Sequence, residues 1–161
     1  MKELEEERNE AYEGPLPFIA EAYLRPRYAE TDAQGVVYHS NYIVWFEVAR
    51  GEYCRAVDYP YLKIEQEGYG LMVTEIAVKY HSPCRYDDEI RIKAWIEKVG
   101  RASCVFGYQV FNDTTGKLSV EGLTKHAAVT PAGKLTRFSQ PLYAIMLTRA
   151  GRGPSQLAPT K

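Results

Sequence analysis

Tyr42, Trp45, Phe46, Ala49, Tyr53, Ala56 and Val57 recur at spacings of three, four and seven, which is the period of one helix face. No other long segment of the chain carries that period. The residues C-terminal to it alternate in twos. Ile76, Val78 and Tyr80 stand against Glu75 and Lys79, and Ile90, Ile92, Ala94 and Ile96 stand against Arg91, Lys93 and Glu97. Two further strand-like runs, 102–112 and 118–129, are joined by Asp113-Thr114-Thr115-Gly116, a hairpin turn signal. A lone helix with a broad aromatic face, set before four strands, has one place to bury that face: the sheet those strands form. The pattern predicts an α+β fold, a curved antiparallel sheet of about five strands wrapped round one long central helix.

The segment boundaries come from turn and cap chemistry. Ser40 or Asn41 is expected to cap the helix start, and Asp58-Tyr59-Pro60 to end it. Gly51, in mid-helix, suggests close packing there. A first strand is expected within 18–28, at an edge or near its end because Pro26 cannot donate to a ladder. Residues 61–66 read as a short helical piece, and Pro141 to Arg149 as a short helix begun by Ser139 or Gln140. The charge-rich stretch 1–17 reads as an arm, 18–150 as the folded domain, and the Gly/Pro-rich 151–161 as a disordered tail. The outer row with Lys93 and Trp95 either faces solvent or meets a second copy of the chain.

The totals narrow the partners. A length of 161 residues fits one domain with a proper core. The 21 acidic and 20 basic residues nearly cancel, so no global field draws nucleic acid or an anionic membrane. Cys54, Cys84 and Cys104 form no CxxC pair and are odd in number, which argues against a disulfide framework and a structural zinc site. They read as buried thiols. Met1 to Glu10 lacks the apolar core of a signal peptide, and no apolar run reaches the length of a membrane span. The expected compartment is the cytoplasm.

The stretch 27–42 holds the chemistry. It ends the first strand, turns at Asp32 to Gly35 and feeds the long helix. Asp32 and His39 sit seven residues apart beside a glycine and a helix start, which brings a base, an imidazole and backbone donors into one small volume. Gly35 permits a turn that bares N–H groups. A helix N-terminus suits a neutral, polarising imidazole at His39. The plain readings are a turn aspartate and a capping histidine. Tyr42, Trp45 and Phe46 are core residues first and pocket lining second, while His81 and His126 read as structural or surface residues.

The pattern Asp32-x-x-Gly35-x-x-x-His39-x-x-Tyr42 between strand and helix resembles the hotdog-fold acyl-CoA thioesterases. It is most similar to the 4-hydroxybenzoyl-CoA thioesterase branch, including the bacterial enzymes associated with the Tol–Pal genes. Arg27-Tyr28-x-Glu30-Thr31-Asp32 and Ser82-Pro83-x-x-Tyr86-Asp87-Asp88 add to the likeness, which spans about residues 20 to 140. The resemblance implies hydrolysis of an acyl-CoA with no metal and no cofactor beyond the CoA of the substrate. Asp32 then matches the essential carboxylate, as base or nucleophile, His39 the assisting histidine, and Gly70 the backbone N–H on the thioester carbonyl. Gly35, Val36, Tyr42, Trp45 and Leu71 are the expected substrate contacts. Arg85, Lys98, Arg101, Lys125 and Arg137 are candidates for the CoA phosphates. The resemblance further implies a homodimer, or a dimer of dimers, with each site at a subunit interface. A hotdog hydratase or dehydratase on acyl thioesters, or a non-catalytic acyl-CoA-binding module, are the alternatives.

Overall fold

The computed structural model describes Gly14, residues 16–155 and Leu157. Five antiparallel strands, β1 (Ala20–Leu24), β2 (Gly70–Tyr80), β3 (Ile90–Val99), β4 (Ser103–Asn112) and β5 (Lys117–Val129), lie in the order β1-β3-β4-β5-β2. The long helix α1 (Asn41–Ala56) crosses one face, α2 (Tyr61–Gln66) leads into β2, and α3 (Gln140–Arg149) comes after β5. The expected strand-then-helix-then-sheet order holds. β1 stops before Pro26, and β2 starts at Gly70, three residues earlier than its alternating pattern suggests. Most of the expected arm, residues 1–13 and Pro15, lies outside the described residues.

The core lies between α1 and the sheet. Trp45, Phe46, Ala49 and Tyr53 on the inner helix face meet Ile92, Ala94, Phe106, Tyr108 and Val120. Phe46 stacks on Tyr108 at 4.3 Å between ring centroids. The close approach falls at Gly122 of β5, where a Cβ would sit 2.3 Å from the Phe46 ring. Gly51, expected to be the tight point, would meet only the Arg55 guanidinium, at 3.4 Å.

One member of the inner helix face is not apolar. Arg50 is buried and donates to Tyr61 Oη and Tyr108 Oη, both at 3.1 Å. Tyr108 bonds Thr124, which bonds His126 Nε2 at 2.7 Å. Burial, with the Arg50 charge beside it, pulls His126 down to about 4, so this imidazole is neutral at pH 7. The chain of hydroxyls spreads a buried positive charge over several partners.

Substituting Gly122 tests this packing. Gly122→Ala forces Phe46 out of its stack on Tyr108 and should lower unfolding free energy by about 1–3 kcal/mol, the usual cost of overpacking. Urea denaturation monitored by circular dichroism measures it.

Candidate active site

The segment between β1 and α1 is tied down by a buried carboxylate. Glu30, 7% exposed, ends a short 3-10 turn (Tyr28–Glu30). Its Oε1 accepts from Trp45 Nε1 at 3.0 Å and its Oε2 from the Arg27 N–H at 2.7 Å. Its backbone carbonyl accepts from Tyr38 N at 2.9 Å and from Asn41 Nδ2 at 2.8 Å. Asn41 therefore donates, and Ser40, itself helical, makes no side-chain cap. The expected capping role of Ser40 or Asn41 is replaced by this anchor, because the helix start is already held from outside. Burial pushes the Glu30 carboxyl up, but the Arg27 and Trp45 N–H groups and the Arg27 charge outweigh it and leave it below its ordinary value.

Held at both ends, the segment makes a tight loop. Asp32 N donates to Val36 O and Gly35 N to Asp32 O, each at 2.9 Å, with Gly35 at φ +76°. Val37 N reaches Cys84 O at 2.8 Å, which fastens the loop to the stretch after β2. Asp32 is half-buried, and its Oδ1 accepts from Gln34 N at 2.8 Å. One carboxylate oxygen thus fixes the loop.

Asp32, Val36, His39 and Tyr42 border one cleft of about 340 Å³, together with Gln34, Val37, Tyr80, His81, Ser82 and Pro83. The Tyr80 hydroxyl donates to His39 O at 2.8 Å, and its ring meets Tyr42 edge-on at 5.7 Å. The Tyr42 hydroxyl accepts from Cys84 N at 3.1 Å. Burial raises the Tyr42 phenol well above its ordinary value, so it stays protonated. His39 is exposed and lies against the Tyr38 ring at 4.3 Å; among the described residues no hydrogen bond joins it to Asp32. Gly35 forms the turn behind the cleft, where Arg85 Nη1 donates to its carbonyl at 3.3 Å. Trp45 lies in the core beneath, as the anchor of Glu30 and not as a cleft wall.

Gly70 and Leu71 are elsewhere. They line a separate, mainly apolar cavity of about 400 Å³ with Gly68, Tyr69, Met72 and Val129, at the start of β2. Tyr80, at the cleft, ends the same strand. Ten residue steps at roughly 3.3 Å put the two ends about 30 Å apart. A single chain does not bring Gly70 to Asp32.

Two residues of the site carry no sequence signal that would single them out. Glu30 enters only as one letter of the Arg27–Asp32 motif, because a buried carboxylate between two N–H donors leaves no spacing signature. His81, which reads as structural or surface by its place in the sequence, lies on the cleft with Nε2 at 3.0 Å from the fully buried Glu121. The three cysteines are buried thiols as expected. Burial pushes Cys54 up to about 11 and Cys104 up to about 12, which leaves neither available as a thiolate nucleophile near neutral pH.

The Glu30 anchor gives a signed pH dependence. Its folded-state carboxyl lies below the ordinary value, so its contribution is present above the unfolded-state pKa and is lost as pH falls through the folded one. Glu30→Gln should cost about 1–3 kcal/mol at pH 7 by weakening one buried and one part-buried hydrogen bond. The gap between native and variant should narrow in acid, below the ordinary glutamate range. Thermal melts at pH 7 and pH 3 check both points.

The comparisons with known proteins agree with this architecture. The thioesterase superfamily profile matches residues 34–119. The chain is 33% identical over 111 residues to the Bacillus subtilis protein named "Putative acyl-CoA thioesterase YneP", spanning 69% of this chain and 80% of that one. It is 34% identical over 89 residues to the acyl-CoA thioester hydrolase YbgC of Escherichia coli, spanning 55% and 66% of the two chains. The crystal structure of a DHNA-CoA thioesterase from Staphylococcus aureus matches with a TM-score of 0.76 at 32% identity, over 81% of this chain and 89% of that chain. The chain belongs to the thioesterase superfamily and has its hotdog fold.

Proposed function

We propose that this protein hydrolyses an acyl-CoA thioester to the free carboxylic acid and CoA, at a site shared by two copies of the chain. The observation that carries the reading is the half-buried Asp32 carboxylate, fixed by one oxygen at the rim of a cleft beside His39. A thioester is already activated, so it needs a base or nucleophile and a donor for its carbonyl oxygen. Asp32 supplies the first. It deprotonates the attacking water, or attacks the carbonyl carbon itself to give a mixed anhydride that water then opens. In either route the C–S bond breaks and the CoA thiolate leaves, taking up the proton released from water. His39 orients the water or the carbonyl, and Val36 and Tyr42 contact the acyl group.

The donor comes from the second copy. β2 is an edge strand, and Met72, Val73, Ile76 and Tyr80 along it are exposed, as are Val44 and Val48 of α1. An exposed apolar edge is a template for another strand. Antiparallel pairing of two β2 strands about a twofold axis at Glu75, the strand's midpoint, sets the partner's Gly70 opposite Tyr80. Residues paired this way have Cα atoms about 5 Å apart. The Gly70 N–H and Leu71 of one copy thereby reach the Asp32 cleft of the other. The same inversion brings Lys98, Arg101 and Arg137, which enter no ion pair among the described residues, toward the cleft mouth as contacts for the CoA phosphates. Arg85 donates to the Gly35 carbonyl in the Asp32 loop, whereas Lys125 is held by Glu75 at 2.7 Å.

Tyr42, buried and edge-on to Trp45 at 4.9 Å, lines the cleft, which favours compact or aromatic acyl groups over long chains. Free-thiol release from short, aromatic and long acyl-CoAs tests the reading. Compact or aromatic substrates should turn over fastest, and Asp32→Ala should lower the rate at least about a hundredfold, the usual scale of a lost base. Binding of every acyl-CoA without release of thiol would make the protein a binding module instead. Turnover unchanged by Asp32→Ala would remove Asp32 from the site.

A further inference from the structure

The outer face of the sheet, opposite α1, is occupied by the chain's own C-terminal segment. After α3 the backbone turns across β3, where Gly151 N donates to Ile96 O at 3.0 Å. Gly153 N then donates to Glu97 Oε1 at 3.2 Å, and the Pro154 carbonyl accepts from Gln109 Nε2 at 3.4 Å. Glu97 Oε1 also accepts from Trp95 Nε1 at 2.8 Å, so one carboxylate oxygen ties the indole and the segment together. Over 151–155 the tail expected to be disordered is therefore fastened to the sheet. The Lys93–Trp95 row, expected to face solvent or a second copy, has Trp95 fully buried.

The fit at Trp95 requires glycine on both sides. A Cβ on Gly153 would sit 1.9 Å from the indole, and one on Gly107, its neighbour in β4, 2.6 Å from it. No side chain larger than hydrogen lets the segment lie this close. Without the segment, Trp95 would stand bare beside the gap at Gly107, an exposed aromatic on a sheet face of the kind that seeks a partner.

We propose that the C-terminal segment is a cap that keeps this outer sheet face from pairing with a second copy of the chain. The occupant that the bare face fits is another copy, because the row is self-complementary. Along β3 it reads Lys93, Trp95, Glu97, so a twofold axis at Trp95 sets Lys93 of each copy against Glu97 of the other and the two indoles side by side. The β2 edge lies at the far side of the sheet order and is untouched by the cap. The cap therefore leaves the proposed pairing through β2 open and withholds association through the outer face. The cap acts whatever reaction the cleft carries out.

Two altered chains test it: one ending at Ala150, and the full chain with Gly153→Val, which keeps the rest of the segment's sequence but cannot lie on Trp95. Mass by light scattering and quenching of tryptophan fluorescence by acrylamide are compared with the native chain. Of the two tryptophans, Trp45 is sealed in the core, so new quenching reports Trp95. The expected result is a quenchable tryptophan and a mass rising to twice the native value with concentration. A synthetic peptide of residues 151–161 should return the shortened chain to the native mass. Trp95 still shielded in both altered chains would show that the segment is not its cover. Trp95 uncovered at unchanged mass would show that the face does not pair, and a gain in mass that the peptide fails to reverse would place the new contact elsewhere. Each of these overturns the proposal. If the shortened chain does not fold by circular dichroism, Gly153→Val decides the matter alone.

Discussion

The site depends on the placement of one buried carboxylate. Glu30 sits where β1 has ended and α1 has not begun, and it holds both neighbours: the Arg27 N–H on one side, and Trp45 and Asn41 of the helix on the other. Removing a carboxylate from water is costly, and the cost is met here only because each oxygen has an N–H donor in place. The loop from Thr31 to Val37 is then too short to wander. Asp32, two residues on, inherits its position from Glu30 and from its own bond to Gln34 N. A loop aspartate with an otherwise ordinary turn sequence becomes a fixed carboxylate at a cleft rim.

The second constraint is topological. In the order β1-β3-β4-β5-β2, the strand that begins with Gly70 and ends beside Asp32 is an edge. Its two chemically interesting ends are as far apart as a strand of eleven residues allows. A twofold axis at mid-strand is the simplest operation that exchanges them. The exposed Met72, Val73 and Ile76, which would be a liability on a lone chain, are the surface that the proposed pairing of two copies would cover. The two faces of the sheet end differently. One is filled by α1, and the other is met by the chain's own C-terminal residues, with Gly153 on Trp95.

The periodic parts of the fold were legible in the sequence because period and burial are the same fact seen twice. The aromatic face of α1 and the alternation in β3 named the helix, the strand and their inner sides, whereas in β2 the alternation located the strand but Ile76 and Tyr80 of its apolar row are exposed. The aspartate, histidine and glycine of the 32–39 loop were legible through the resemblance, and the structure gathers Asp32, Val36, His39 and Tyr42 round one cleft. Contacts between residues distant in sequence did not show. Glu30 and Trp45 are fifteen residues apart with no repeat to mark them. The tight packing point is Gly122, dictated by Phe46 from another element, whereas Gly51, the glycine within the helix, lies against a flexible arginine. A Gly/Pro-rich tail looks featureless by composition, yet Gly153 is the residue that lets it lie on Trp95.

If Asp32 and Gly70 act together across two copies of the chain, mixing inactive subunits should restore activity. Asp32→Ala and Gly70→Pro chains are each assayed alone and after co-refolding in equal amounts. A shared site predicts that both are inactive alone and that the mixture recovers about a quarter of native activity, since half the dimers are mixed and each carries one intact site of two. A mixture as inactive as its components, with mixed dimers present by mass, would contradict a site built from both copies.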